Sequence, residues 1–143
     1  SLNDDFVCVY GDLLFHKDIL KNCIDSKSNV CLMVEKKMKE ETMRVKIQND
    51  RIIQVNKRIS FDNADGNFIG MAKFSKDAKK FLFAEINELI HMDNQQSYYT
   101  DAIEKIISKG RLVNYAYTEG HPWADIDTIS ELSAAKIIFQ DLL

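Results

Sequence analysis

Two stretches of this sequence carry side chains whose type and spacing suit chemistry at a charged centre. The first is Gly11-Asp12, a carboxylate directly behind the apolar run F-V-C-V-Y at residues 6–10. Ligands of open α/β sheets collect outside the carboxyl ends of the strands, so Asp12 stands where a site would form. Glycine beside it permits close backbone approach. The second is H-P-W-A-D-I-D-T at 121–128, where Asp125 and Asp127 are two apart and point the same way in an extended chain. If this segment meets Asp12, two or three carboxylates converge, the hard-oxygen set that a divalent cation such as Mg²⁺ takes. Each stretch also has a plain structural reading. Gly-Asp is ordinary turn chemistry, and acidic residues ahead of a helix starting at Thr128 are favoured by its dipole.

Other candidates carry less. Lys57, in N-K-R at 56–58, could reach a phosphate as a point charge or simply end a solvated strand. Lys76, Lys79 and Lys80 read as one solvated helix side. Tyr98 and Tyr99 open a helix and read as core or staple residues before a stacking platform. His16, His91 and His121 lie too scattered along the chain to read as a ligand set. Cys8, Cys23 and Cys31 have no C-x-x-C or Cys/His metal spacing, and free thiols in such apolar surroundings behave as small buried hydrophobes.

Elements must bring these residues together. Residues 6–10 and 29–34 read as strands buried on both faces, with helical spacing at Phe15, Ile19, Leu20, Cys23 and Ile24 between them. Strand, short helix, strand predicts a βαβ unit with adjacent parallel strands. Residues 43–47 and 51–55 alternate around Q-N-D and predict a hairpin. Residues 61–66 are polar with a turn at Asp65-Gly66, and 68–74 (F-I-G-M-A-K-F) read as a strand. Helices follow at 75–91 and 97–109, the latter closed by Gly110. Residues 112–117 read as a last strand and 119–127 as a loop. T-I-S-E at 128–131 has capping-box spacing ahead of the stripe Ile129, Leu132, Ala135, Ile138 and Phe139. The expectation is an α/β domain with a mixed, mostly parallel sheet flanked by helices.

Composition limits the function classes. The chain has 143 residues, 45% hydrophobic and 29% charged, with a formal net charge of −3. That size supports one domain with one core. Mild acidity speaks against a dedicated nucleic-acid binder, which needs a clustered basic face. No apolar run approaches the ~18 residues of a membrane span, and no signal-peptide pattern opens the chain. The expectation is a cytoplasmic domain with no nucleic-acid or membrane partner.

Taken in order, strand-then-Gly11-Asp12, Asn56-Lys57 behind a hairpin, F-I-G-M-A-K-F at 68–74, and W-A-D-I-D-T at 123–128 resemble the C-terminal part of a nucleotidyltransferase of the sugar-phosphate, phosphocholine or 2-aminoethylphosphonate cytidylyltransferase type. The resemblance runs from about Asp5 to Ile138. It implies a partial nucleotidyltransferase (Rossmann-like) fold over residues 1–143. It also implies metal-dependent transfer of a nucleotidyl, by analogy cytidylyl, group from an NTP to a small phosphorylated or phosphonylated acceptor, releasing pyrophosphate. By the same resemblance Asp12 and either Asp125 or Asp127 hold Mg²⁺. Lys57 contacts the acceptor's phosphate, and Tyr98, Tyr99 and Trp123 flank a cationic amine head through cation–π contact.

The sequence departs from that family in one large respect. The family's opening strand, its Gly-rich loop with an Arg and its downstream Pro-Lys pair are missing, and Gly11 is the first glycine. The chain therefore reads as the metal-and-acceptor half, inactive by itself. The alternative is a non-catalytic binding or regulatory α/β module that has lost nucleotide binding. A sheet missing its first units exposes an open edge, which predicts homo-oligomerisation through that edge.

Overall fold

The computed structural model describes residues 5–38, 43–92, 98–126 and 129–139. In chain order the elements are β1 (Phe6–Val9), β2 (Leu13–Phe15), α1 (Lys17–Asp25), β3 (Val30–Glu35), β4 (Arg44–Gln48), β5 (Arg51–Asn56), β6 (Gly66–Phe74), α2 (Lys76–His91), α3 (Tyr98–Ser108), β7 (Asn114–Tyr117), β8 (Trp123–Asp125) and α4 (Ile129–Phe139). A single 3₁₀ turn, Phe61–Asn63, precedes β6.

The apolar runs build one six-stranded sheet in the order β5-β4-β6-β3-β7, and β1 also pairs with β6. β6 is buried along its whole length and takes the centre. On one side it pairs with β3. On the other, β1 (opposite residues 71–74) and β4 (opposite Gly66 and Asn67) follow one another end to end.

The helix-flanked mixed sheet agrees with expectation, and two details correct it. β1 and β3 run in the same direction with α1 between them, but β6 is inserted between the two and is antiparallel to both. Among the described strands only β3 and β7 pair in parallel, so the sheet is mostly antiparallel. The reason is burial. The long, two-sidedly apolar β6 satisfies most backbone groups when strands flank it on both sides.

Side-chain alternation divides the interior into two layers. Leu32 and Val34 of β3, with Phe68, Ala72 and Phe74 of β6, pack against Leu82 and Leu89 of α2 and Ile103 and Ile106 of α3. On the opposite face Met33, Ile69 and Met71 pack against Ile19 and Cys23 of α1 and Trp123 of β8. Lys73 also faces this second layer, where its ammonium donates to the Ile24 carbonyl at 3.0 Å and to that of Ser26. A strand lysine thus satisfies carbonyls at the C-terminal end of α1.

Local signals account for the ends of several elements. Asn49 and Asp50 have φ of 53° and 60°, the left-handed pair of a tight hairpin turn between β4 and β5. The Ser75 hydroxyl caps α2 by accepting from the Ala78 amide at 3.2 Å. α1 starts at Lys17 because Phe15 belongs to β2. The segment expected as a loop at 119–127 contains β8. Thr128 and its capping box lie outside the described residues. Of the stripe on α4, Ala135 and Phe139 are buried and Leu132 is exposed. No helix among the described residues is long and apolar enough to cross a membrane.

Candidate active site

Asp12 sits in the turn that ends β1. The Leu13 amide donates to the Tyr10 carbonyl at 3.2 Å, closing a four-residue turn with Gly11 and Asp12 at its centre. The chain then doubles back as β2 and pairs antiparallel with β8, Leu13 opposite Asp125 and Phe15 opposite Trp123. The pairing extends one residue further, since the Ile126 amide donates to the Asp12 carbonyl at 2.8 Å. Residues 12 and 125, remote in sequence, thereby come to adjacent rungs at one end of a two-stranded ribbon, where Asp125 pairs with Leu13 and Asp12 with Ile126. Asp12 is exposed and Asp125 half-buried. Asp127 lies outside the described residues.

Tyr10 reports on both carboxylates. Its phenol ionisation is pushed up to about 12, first by burial, then by the charges of Cys8, Asp125 and Asp12. The ring lies across the β6 backbone at Gly70, whose carbonyl accepts the Tyr10 amide at 3.0 Å. Gly70 has φ +96°, and an ideal Cβ there would stand 2.1 Å from the Tyr10 ring. The missing side chain is what lets Tyr10 cross β6 and deliver Asp12 to the ribbon. An isolated glycine inside a strand pattern is the signal that could have revealed this.

Lys57 follows β5 on a turn fixed by Asn56. The Asn56 carbonyl oxygen of the side chain accepts from the Arg58 and Ile59 amides, each at 2.9 Å. Its amide donates to Glu104 of α3, which also accepts from the Val55 amide at 3.0 Å. Lys57 and Arg58 are exposed on this turn. Beside it opens a cleft of about 750 Å³ lined by Lys46, Asn56, Arg58, Ser60, Asn63 and Glu104, among others. Asn56 pairs with Arg44, and Arg44 with Asn67 of β6. Strand rise and spacing then place Asn56 on the order of 10 Å from Tyr10. The end of β1 and the end of β5 open toward the same stretch of β6.

The aromatic candidates are not gathered around one ligand. Tyr99 is packed against Tyr10, Phe68 and Phe74, and its hydroxyl donates to the Cys8 carbonyl at 3.0 Å. Burial raises its ionisation well above the ordinary tyrosine value. Trp123 is buried in the opposite layer, where its indole N–H donates to Glu35 at 3.1 Å. The side chain of Tyr98 lies outside the described part. The cysteines are free thiols, Cys23 and Cys31 buried and Cys8 half-buried. Burial raises the ionisation of all three, Cys23 to about 12, and holds them as thiols at neutral pH.

The histidines correct the sequence reading. His16 and His121, scattered in sequence, stack at a ring-centroid distance of 4.8 Å at the other end of the ribbon.

Comparison with known proteins bears on the fold. No family model and no curated protein sequence matches the chain. Among solved structures it is similar to the inositol-1-phosphate CTP transferase from T. maritima, with a TM-score of 0.69 and 21% identity over 96% of this chain and 56% of that one. It is also similar to a protein assigned as a glucose-1-phosphate thymidylyltransferase from Bacillus anthracis, in complex with a sucrose. There the TM-score is 0.73, with 21% identity over 97% of this chain and 56% of that one. The fold is that of the nucleotidyltransferases. The chain spans just over half the length of these solved structures.

Proposed function

We propose that this chain is the metal-and-acceptor half of a nucleotidyltransferase that joins an NTP to a small phosphorylated or phosphonylated acceptor, with CTP as the expected nucleotide. The observation that supports the reading is that β2 and β8 bring the backbone of Asp12 beside that of Asp125 and Ile126, the Ile126 amide donating to the Asp12 carbonyl. Carboxylates are hard oxygen donors and suit Mg²⁺ rather than a soft metal. Asp12 and Asp125, with Asp127 as the further candidate, would hold the ion. When bound, it neutralises phosphate charge and orients the nucleotide.

In this reading the acceptor's phosph(on)ate oxygen attacks the α-phosphorus in line and pyrophosphate leaves. Both reactants are anions, so the protein's task is positioning and charge neutralisation, with no covalent step. Lys57 contacts the acceptor's phosphate from the turn fixed by Asn56, and Arg58 and Lys46 supply further positive charge at the adjacent cleft.

The test uses the complete protein. Asp12→Asn keeps the turn and removes the charge, so NTP-dependent pyrophosphate release should fall by about 100-fold or more, the scale of losing one preorganised charge-stabilising group. Near-normal release would refute the assignment. Running CTP, UTP and dTTP against phosphocholine, 2-aminoethylphosphonate and a sugar 1-phosphate assigns base and acceptor.

A further inference from the structure

The ribbon that carries Asp12 and Asp125 at one end carries a different donor set at the other. Pairing of β2 with β8 continues beyond Phe15, where the His16 amide donates to the Pro122 carbonyl at 2.9 Å. His121 enters from a tight turn in which its amide donates to the Thr118 carbonyl at 3.1 Å. Glu119 and Gly120 supply the two positive φ angles of that turn, 55° and 79°. Asp18 stands in the first turn of α1, the helix that His16 caps. The backbone thus fixes all three residues at one place.

We propose that His16, Asp18 and His121 bind a divalent transition-metal ion. Asp18 Oδ2 lies 3.7 Å from His16 Nδ1 and 3.8 Å from His121 Nε2. One donor atom from each residue lies within 4.8 Å of the other two, and among the described residues no other group of three His, Cys, Asp or Glu does this. A tetrahedral ion with bonds of about 2.0–2.2 Å separates its donors by roughly 3.3 Å, so the two gaps at Asp18 need close by only about half an ångström. His16 Nδ1 accepts the Asp18 backbone amide at 3.0 Å, so this nitrogen carries a lone pair and no proton. That is the state a metal requires. Binding trades one helix-cap hydrogen bond for a metal bond.

The rings are nearly parallel, 14° apart, and two in-plane lone pairs so arranged cannot meet at one point. One ring must turn. His121 is the more exposed, at 33% against 15% for His16, and stands on the loop, so it is the ring with room to move. Two imidazoles and one carboxylate select Zn²⁺, Co²⁺ or Ni²⁺ over Mg²⁺. Three protein ligands leave a fourth position for water. The ion would clasp the start of α1 to the entry of β8 and lock the ribbon's register. This site uses none of the residues assigned to nucleotidyl transfer, and stands or falls separately from that reading.

Zn²⁺ titration of the chain without a polyhistidine tag, followed by calorimetry, should give one ion per chain and a raised melting temperature. Co²⁺ in its place should show the intense visible bands of a four-coordinate ion. His121→Ala should weaken Zn²⁺ binding by roughly tenfold or more. His16→Asn retains a capping acceptor and should lose the ion with α1 intact by circular dichroism. Asp12→Asn should bind Zn²⁺ as the parent does. Absence of stoichiometric binding by the parent, or equal affinity in His121→Ala, would overturn the proposal.

Discussion

Replacing Gly70 by alanine tests how the strand scaffold places Asp12. The ideal Cβ would stand 2.1 Å from Cδ2 of Tyr10 and 2.7 Å from both Cγ and Cε2, well inside van der Waals contact. Tyr10 cannot easily yield, because its ring is boxed by Phe68 at 6.1 Å and Tyr99 at 5.4 Å and its amide is bonded to the Gly70 carbonyl. Displacing it costs about 1–3 kcal/mol, as overpacking generally does. Holding a Cβ-bearing residue at φ +96° costs a further 1–2 kcal/mol or so. The total, about 2–5 kcal/mol, is a large share of a typical folding free energy. It should lower the melting temperature by on the order of 10–20 °C for a chain of this length. Urea unfolding measures it directly. Tyr10→Ala in the same background removes the clash and leaves the backbone strain, so the pair should be non-additive by about 1–3 kcal/mol. A Gly70→Ala loss under about 0.5 kcal/mol, or simple additivity with Tyr10→Ala, would refute the reasoning.

Two further perturbations follow from other contacts. Tyr10 has its ionisation raised from 10.0 to about 12 in the fold, so the native state favours the protonated phenol. Its stabilising contribution is whole below pH 10 and is lost as pH rises through 12. Tyr10→Phe should flatten that part of the alkaline stability profile, and Asp12→Asn or Asp125→Asn should each lower the Tyr10 ionisation seen by tyrosinate absorbance. No movement with either would mean that the carboxylates do not share its surroundings. Lys73→Met keeps the aliphatic stem and removes the donor to the Ile24 and Ser26 carbonyls. It should cost about 1.5–3 kcal/mol in urea unfolding, the range for charged hydrogen bonds, with hydrogen exchange rising first at the end of α1.

What was legible in the sequence follows from how many residues carry each signal. β1, β3 and β6 are runs of apolar residues, the β4–β5 hairpin has five or six alternating residues to a strand, and α2 has a serine cap and a long apolar period. Each such pattern is fixed by local burial alone. β2 and β8 have three residues apiece, too few for alternation to register, and Pro122 beside Trp123 reads as punctuation of a loop. They are strands only because each supplies the other's hydrogen bonds. The place of β6 between β1 and β3 is likewise a matter of pairing, and strand-helix-strand order pointed to adjacency.

The candidate site depends on the same distinction. Asp12 and Asp125 were readable as candidate carboxylates, and the short ribbon that sequence periodicity does not reveal is what brings their backbones to adjacent rungs. The histidines follow the same rule, since His16 and His121 are juxtaposed by the same two strands. Donor chemistry is a property of single residues and survives in the sequence. Donor geometry here is a property of a three-residue ladder closed between distant parts of the chain, and it exists only after the sheet has formed beneath it. Perturbations in the sheet, such as Gly70→Ala, should therefore reach the carboxylate end of the ribbon without touching either carboxylate.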